Sequence, residues 1–327
     1  MQLYINTYGT SMRIIDGLLS LKHEKDLRQI PLGKIKTIFI TKSIQLSSDV
    51  LYQCIENGID LVITERNGHP VGRLWNNRFG SISTIRKSQL EFANSQSVIP
   101  WVIENMREKM LNQKELLLCF LANHEPDKSL IDQSVVRLES LRERIYDYVS
   151  LPHDEAGGKI RAIEGQAAKV YFNCINEHLP HQFQFTKRSK RPALDMINAM
   201  LNYAYGTLYA LLEQGLIKAG LDPFIGFFHR DEYNRPVLTY DVIEPFRPWV
   251  DWVVINLCCN EVFDETFFTI EDGGYWMAGD GKRILIQHLA DVMDDIIDYD
   301  GEHHSRKVHI DRRAQNIASM IQNSFKS

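Results

Sequence analysis

Residues 60–75 read Asp-Leu-Val-Ile-Thr-Glu-Arg-Asn-Gly-His-Pro-Val-Gly-Arg-Leu-Trp. Two short apolar runs, Asp60 to Thr64 and Val71 to Trp75, flank Asn67-Gly68, a pair that tolerates positive φ and so marks a hairpin. The same texture extends back toward the N-terminus. Leu3 to Ile5, Ser11 to Ile15, Leu18 to Leu21 and Thr37 to Ile40 are short, apolar or alternating, and separated by turn residues. One helix interrupts them. Ser47 or Ser48 caps it, Val50, Leu51 and Cys54 face inward, and Gly58 ends it.

From about residue 98 the period changes from two to that of a helix. Helices are predicted from Pro100 to Leu121, Ser129 to Tyr148, Ile160 to His178, Pro192 to Leu216, Asp241 to Asn260, Lys282 to Ile297 and His309 to Gln322. The third carries Ile163, Ala167, Val170, Tyr171 and Cys174 on one stripe; the fourth turns Leu194, Ile197, Leu201 and Leu208 inward. The expected fold is therefore α+β: a β-rich domain over 1–85, a linker over 86–98, and a larger all-helical domain over 99–327. Strands followed by helices, without alternation, argue against a doubly wound parallel sheet. No glycine-rich phosphate loop is present, which removes the usual sequence support for nucleotide hydrolysis and dinucleotide redox chemistry.

Of the 327 residues, 44% are hydrophobic and 24% charged, enough for a real core. No charged start followed by an apolar run is visible, and no run reaches membrane-spanning length, so a cytoplasmic protein with no membrane partner is expected. Five cysteines without a C-x-x-C pair read as buried thiols. The net charge of −5 does not advertise nucleic acid, but it is unevenly spread. Lys187, Arg188, Lys190 and Arg191 form a basic run, and Asp291 to Glu302 an acidic one. A modest total can hide a basic groove, although each run alone reads as a solvated surface.

Chemistry concentrates in residues 226–248, Gly-Phe-Phe-His-Arg-Asp-Glu-Tyr-Asn-Arg-Pro-Val-Leu-Thr-Tyr-Asp-Val-Ile-Glu-Pro-Phe-Arg-Pro. His229 precedes a polar turn (Asp231 to Arg235) and then Asp241 and Glu244. With Asp241 as a helix start, Glu244 falls one turn on and both carboxylates can face one point. A histidine with carboxylates suits Mg²⁺ or Mn²⁺, and chemistry on phosphate esters. Such an ion needs a further anionic ligand, for which Glu164, in Ile-Glu-Gly-Gln-Ala-Ala, is the candidate; its small neighbours would let another helix approach. Plainer readings exist for each residue: a hydrogen-bonded structural His229, an N-cap at Asp241, and a Glu164 paired with Lys169 or Arg161. The Glu-x-x-His repeats of di-iron bundles and the His-Glu-x-x-His of zincins are both missing.

Four stretches together resemble a known family. Glu-Gly-x-x-Ala-x-x-Tyr-Phe from Glu164, Arg-Pro-x-x-Asp-x-x-Asn-x-x-Leu-x-Tyr-x-Tyr from Arg191 to Tyr205, Gly-Phe-x-His ending at His229, and Asp-x-x-Glu-Pro-Phe-Arg-Pro from Asp241 are similar to the spacer-acquisition integrase/endonuclease of CRISPR–Cas systems. The resemblance implies that Glu164, His229 and Glu244 are metal ligands, that Asp241 belongs to the catalytic group, and that the second domain is the catalytic one. It implies a homodimer formed through the β domains, two of which clamp a small dimer of a second Cas protein. It implies capture of short double-stranded DNA and its joining, through 3′-hydroxyl attack on a phosphodiester, to the CRISPR repeat in antiviral defence. The histidine suggests that Mn²⁺ serves at least as well as Mg²⁺. Lys187, Arg188, Lys190 and Arg191 would meet phosphates, with Arg235 and Arg247 as further DNA-binding candidates; Arg247 can equally pair with Asp241 or Glu244. Asn198, Asn202 and Tyr205 read as a polar network supporting the site. Two other function classes are a catalytically idle DNA-binding scaffold and a small-molecule phosphohydrolase; the latter leaves the β domain unexplained.

Overall fold

The computed structural model describes residues 1–74, 82–123, 127–229 and 235–324. Its N-terminal half holds β1 (Gln2–Ile5), β2 (Ser11–Ile15), β3 (Leu18–His23), β4 (Asp26–Pro31), β5 (Thr37–Thr41), β6 (Gln45–Leu46), α1 (Ser48–Glu56), β7 (Asp60–Thr64) and β8 (Pro70–Arg73). Two four-stranded sheets result, ordered β1-β5-β7-β8 and β4-β3-β2-β6. In the first, β1, β5 and β7 run parallel and β8 returns antiparallel beside β7, as the Asn67-Gly68 hairpin requires. The predicted last residue of β8, Trp75, lies outside the described residues. β5 is nearly all apolar because both its faces are covered. Ile38 and Ile40 join Met12, Leu19 and Leu61 in the core of the β half, with Val50 and Cys54 of α1. Phe39 and Val62 point the other way, onto Ala210 of the helical half.

The sequence reading misses β4. Asp-Leu-Arg-Gln-Ile-Pro has no apolar alternation because the strand lies at a sheet edge with most residues exposed, held by its backbone ladder to β3. The expected linker is largely a helix, α2 (Ile82–Ala93), which packs on the last helix of the chain. Beyond it come α3 (Val98–Asn123), α4 (Lys128–Arg144), α5 (His153–His178), α6 (Met196–Lys218), α7 (Val237–Val242) and α8 (Arg247–Cys259). The C-terminal part holds β9 (Phe268–Glu271), β10 (Gly274–Met277), α9 (Gly279–Asp294), β11 (Ile296–Tyr299), β12 (Glu302–Ser305) and α10 (Arg306–Ser324). The helical half is thus not free of strand. Both hairpins turn on Asp-Gly with positive φ at each residue, +50° and +73° at Asp272-Gly273 and +53° and +74° at Asp300-Gly301. That geometry matches strand twist, so the chain leaves α9 at Asp294 and does not stay helical to Ile297.

α6 is buried on nearly all sides and is the axis of the helical half. Its N-cap is Asp195, whose carboxylate accepts from the Asn198 N–H at 2.8 Å, so Leu194 lies before the helix and is 50% exposed, not inward. α6 also forms the seam with the β half. A Cβ on Gly206 would sit 2.5 Å from the carbonyl carbon of Gly68, so no larger residue lets the β7–β8 turn lie this close. Arg73 donates to the Ala210 carbonyl at 2.9 Å and pairs with Glu213 at 3.4 Å. Among the described residues, no helix is long and apolar enough to cross a membrane.

Candidate functional site

α7 begins at Val237, so Asp241 sits near its end and is not an N-cap. The expected helix start there is overturned by what the carboxylate does. Only 1% exposed, Asp241 accepts the backbone N–H groups of Phe227 (2.6 Å), Phe228 (3.0 Å) and His229 (2.9 Å), closing the 227–229 segment around itself. It also lies 2.6 Å from Nδ1 of His229. A carboxylate accepts only, so the ring proton is assigned to Nδ1 and Nε2 is left unprotonated. The His229 side chain is 42% exposed, with its ring against Tyr240. Burial works against its charged form, yet Asp241, with Glu244 and Glu164 behind it, leaves its pKa raised. The Asp231 to Asn234 part of the expected polar turn lies outside the described residues.

Glu244 occupies a single 3₁₀ turn, Glu244–Phe246, between α7 and α8. α3 positions that segment. Asn105 donates to the Asp241 carbonyl (2.5 Å) and Asn112 to the Pro245 carbonyl (2.7 Å), two turns apart on one helix face. Between them, Lys109 sends its ammonium into the centre, 2.6 Å from Glu244 Oε2 and 2.7 Å from Glu164 Oε1. Glu164 on α5 therefore pairs with Lys109, not with Lys169 or Arg161. Arg161 lies over the Phe228 ring instead, and Gly165 beside Glu164 faces open space where a closely packed helix was expected. The other Glu244 oxygen, Oε1, accepts from Arg247 Nε at 2.9 Å. Burial alone would raise the Glu244 pKa, but Arg247 and Lys109 pull it down to about 2. Burial likewise opposes the Lys109 charge, and Glu244 and Glu164 outweigh it, raising its pKa. Sequence reasoning missed Lys109. The available signal was three polar residues, Asn105, Lys109 and Asn112, at i, i+4 and i+7 of a helix whose neighbouring positions are core.

Arg247 turns inward. Its guanidinium lies over the rings of Tyr205 (4.8 Å) and Tyr209 (5.4 Å) and donates to the Tyr209 hydroxyl at 2.7 Å. Of its two sequence-derived readings, the structure displays the pair with Glu244, with the Arg247 side chain 15% exposed. Tyr205 donates in turn to Asp251, as does Tyr171 at 3.0 Å. Burial pushes Asp251 up to about 6 despite those two hydroxyls. The basic loop divides. Arg188 is drawn inward over Phe172 and Tyr205 and donates to Asn202 at 3.1 Å. Lys187, Lys190 and Arg191 stay exposed, with Arg191 donating to Glu65 of the β half at 3.0 Å. Asn198 and Asn202 hold this loop by its backbone, reaching the carbonyls of Lys187, Ser189 and Lys190, while Tyr205, the third member of the expected network, goes to Asp251. Arg235 is exposed, its charge within reach of His69 and Tyr240.

The structure thus brings Glu164 and Glu244 onto one ammonium and orients His229 through Asp241 beside them. Among the described residues, no three histidine, cysteine or acidic side chains are gathered for an ion as they lie; the two glutamates meet the Lys109 ammonium instead. The donor set nevertheless suits Mg²⁺ or Mn²⁺: two carboxylates and an imidazole. Glu244 Oε2 is buried, and the cation it meets is the Lys109 ammonium at 2.6 Å.

A family model described as "CRISPR associated protein Cas1" matches residues 3–291. The CRISPR-associated endonuclease Cas1 1 of Archaeoglobus fulgidus is 28% identical over 313 residues, covering 92% of this chain and 90% of its own. A casposase bound to integration product shares the fold with a TM-score of 0.82 at 20% identity, covering all of this chain and 92% of that one. A chain of a Cas6-RT-Cas1–Cas2 complex does so with a TM-score of 0.81 at 18% identity, covering 99% of this chain and 35% of that one.

Proposed function

The chain belongs to the CRISPR-associated Cas1 family, and from that premise we propose that it is a metal-dependent DNA endonuclease and integrase that inserts short duplex fragments into a CRISPR array. The observation that carries the reading is the convergence of Glu164 and Glu244 on one cation beside an imidazole whose tautomer Asp241 fixes. Glu164, Glu244 Oε2 and His229 Nε2 would hold Mg²⁺ or Mn²⁺. When bound, that ion lowers the pKa of a 3′-hydroxyl and offsets charge building on the attacked phosphate.

The remaining work falls to the protein. Asp241 accepts the Nδ1 proton of His229 in a hydrogen bond, so Nε2 is the ring nitrogen that would be free to hold an ion. Arg247, clamped by Tyr205 and Tyr209, fixes the Glu244 carboxylate by Oε1 and leaves Oε2 for the metal. α3 holds the segment carrying Glu244 by two carbonyls, which keeps the carboxylate from drifting. Lys187, Lys190 and Arg191, on a loop pinned to α6, would meet backbone phosphates of duplex DNA without reading its sequence. We assign the β half to homodimer formation, and a small second Cas protein dimer to bridging two such dimers. Common architecture with a Cas6-RT-Cas1–Cas2 complex supports that partner by fold alone.

The test is a joining assay with duplex oligonucleotides carrying free 3′-hydroxyls, Mn²⁺, and a chelator control. Joining that needs Mn²⁺ and is lost in Glu164→Ala and His229→Ala is expected. Full joining in either purified variant overturns the mechanism.

A further inference from the structure

We propose that Lys109 is a tethered cation that occupies the metal's place between Glu164 and Glu244 and must yield it for the ion to bind. The inference deepens the function proposed above and rests on that reading of the two glutamates. Its ground is geometric. One ammonium contacts Glu244 Oε2 at 2.6 Å and Glu164 Oε1 at 2.7 Å, so both oxygens assigned to the ion already share a cation. Mg²⁺ and Mn²⁺ take oxygens at about 2.1 Å, closer than an ammonium does. Ion and ammonium therefore cannot hold the same pair of oxygens together: they are too near and of like charge.

The surroundings divide the labour. Arg247 binds Glu244 through Oε1, whereas the Lys109 contact is with Oε2, so Glu244 stays fixed and compensated when Lys109 leaves. α3 is anchored on either side of Lys109 by Asn105 and Asn112, so the backbone need not move; withdrawal is a rotation of a flexible four-carbon stem. In the metal-free state the ammonium keeps two nearby carboxylates from repelling each other and holds them in register. The consequence is competition. Lys109 preorganises the site and at the same time weakens its affinity for the metal.

The experiment is calorimetric titration of the full chain, stripped with chelator, with Mn²⁺ alone, alongside thermal unfolding with and without Mn²⁺. Lys109→Met is expected to bind Mn²⁺ more tightly than the wild type by about tenfold or more, because the two ammonium contacts the ion must displace are absent from its metal-free state. It should also show a larger Mn²⁺-induced rise in Tm. Lys109→Arg, which keeps the charge, should stay near the wild type. If Lys109→Met does not fold, Lys109→Gln carries the same test, since its amide retains hydrogen bonding without the charge. Unchanged or weaker Mn²⁺ binding in the neutral variant, while the wild type binds through His229 (binding lost in His229→Ala), overturns this inference alone. No Mn²⁺ uptake by either protein, or uptake indifferent to His229→Ala, overturns the metal reading as well.

Discussion

Glu244 and Asp251 are both sealed from solvent and lie within one short stretch of chain, yet they hold their protons in opposite ways. Glu244 meets two cations, Lys109 and Arg247, and burial loses to them; its pKa falls to about 2. Asp251 meets two tyrosine hydroxyls, and burial wins; its pKa rises to about 6. The two carboxylates differ in what surrounds them, not in how deeply they lie. A carboxylate kept ionised in a dry place by two cations retains its charge where burial alone would remove it. One shared between hydroxyls ties α5, α6 and α8 together and offers nothing to a substrate.

Neutralising each group puts that contrast under the heaviest strain. Glu244→Gln should lower metal-dependent joining by about a thousandfold or more, and cost about 3 kcal/mol of stability by stripping the buried Arg247 and Lys109 of a shared anion. Asp251→Asn should leave joining within a few-fold of wild type, read in the same strand-transfer gel. His229→Ala should match Glu244→Gln in activity yet change the urea unfolding free energy by less than about 1 kcal/mol, since its ring is partly in solvent.

Acidity offers a second cut. The raised Asp251 pKa contributes stability that is complete below about pH 4, the ordinary carboxyl range, and is lost as pH rises through about 6, on the order of 3 kcal/mol in all. The depressed Glu244 pKa works oppositely: its share is present above about pH 4 and is lost as pH falls toward about 2. Urea midpoints across pH 2–8 should therefore show Asp251→Asn flattening the fall from 4 to 6, and Glu244→Gln flattening the loss below it. The smallest effect belongs to the basic loop. Lys187, Lys190 and Arg191 changed to Gln should each lower the slope of log affinity against log salt by up to about 0.9 for every phosphate left without its cation. Arg188→Gln should instead cost stability and leave that slope in place, because its guanidinium is packed on Phe172 and Tyr205.

What the sequence made legible follows from how local each signal is. The β7–β8 hairpin is written in two residues, and the switch from strand to helix near residue 98 in a change of period. The C-terminal hairpins were as legible, each turning on Asp-Gly, but the helical pattern before the second ran on and masked its turn. β4 is held by a backbone ladder that leaves no trace in side-chain pattern. Glu164, His229 and Glu244 came forward through motif likeness and the chemistry of their types. The true office of Asp241 did not, since accepting three backbone N–H groups from a segment before it in the chain is a tertiary fact. Lys109 stayed hidden for the same reason: its partners come from α5 and from the turn before α8.

Tyr299, at the end of β11, donates to Glu108 and accepts from Asn112, both on α3, and Arg313 of α10 grips Glu108 and Asn105. The matched family stretch stops at residue 291, yet this later arm holds α3, the helix that anchors the Glu244 segment. Drift in the tail of such a chain would shift the contacts that Asn105 and Asn112 make to the Glu244 segment while leaving Glu164, His229 and Glu244 unchanged.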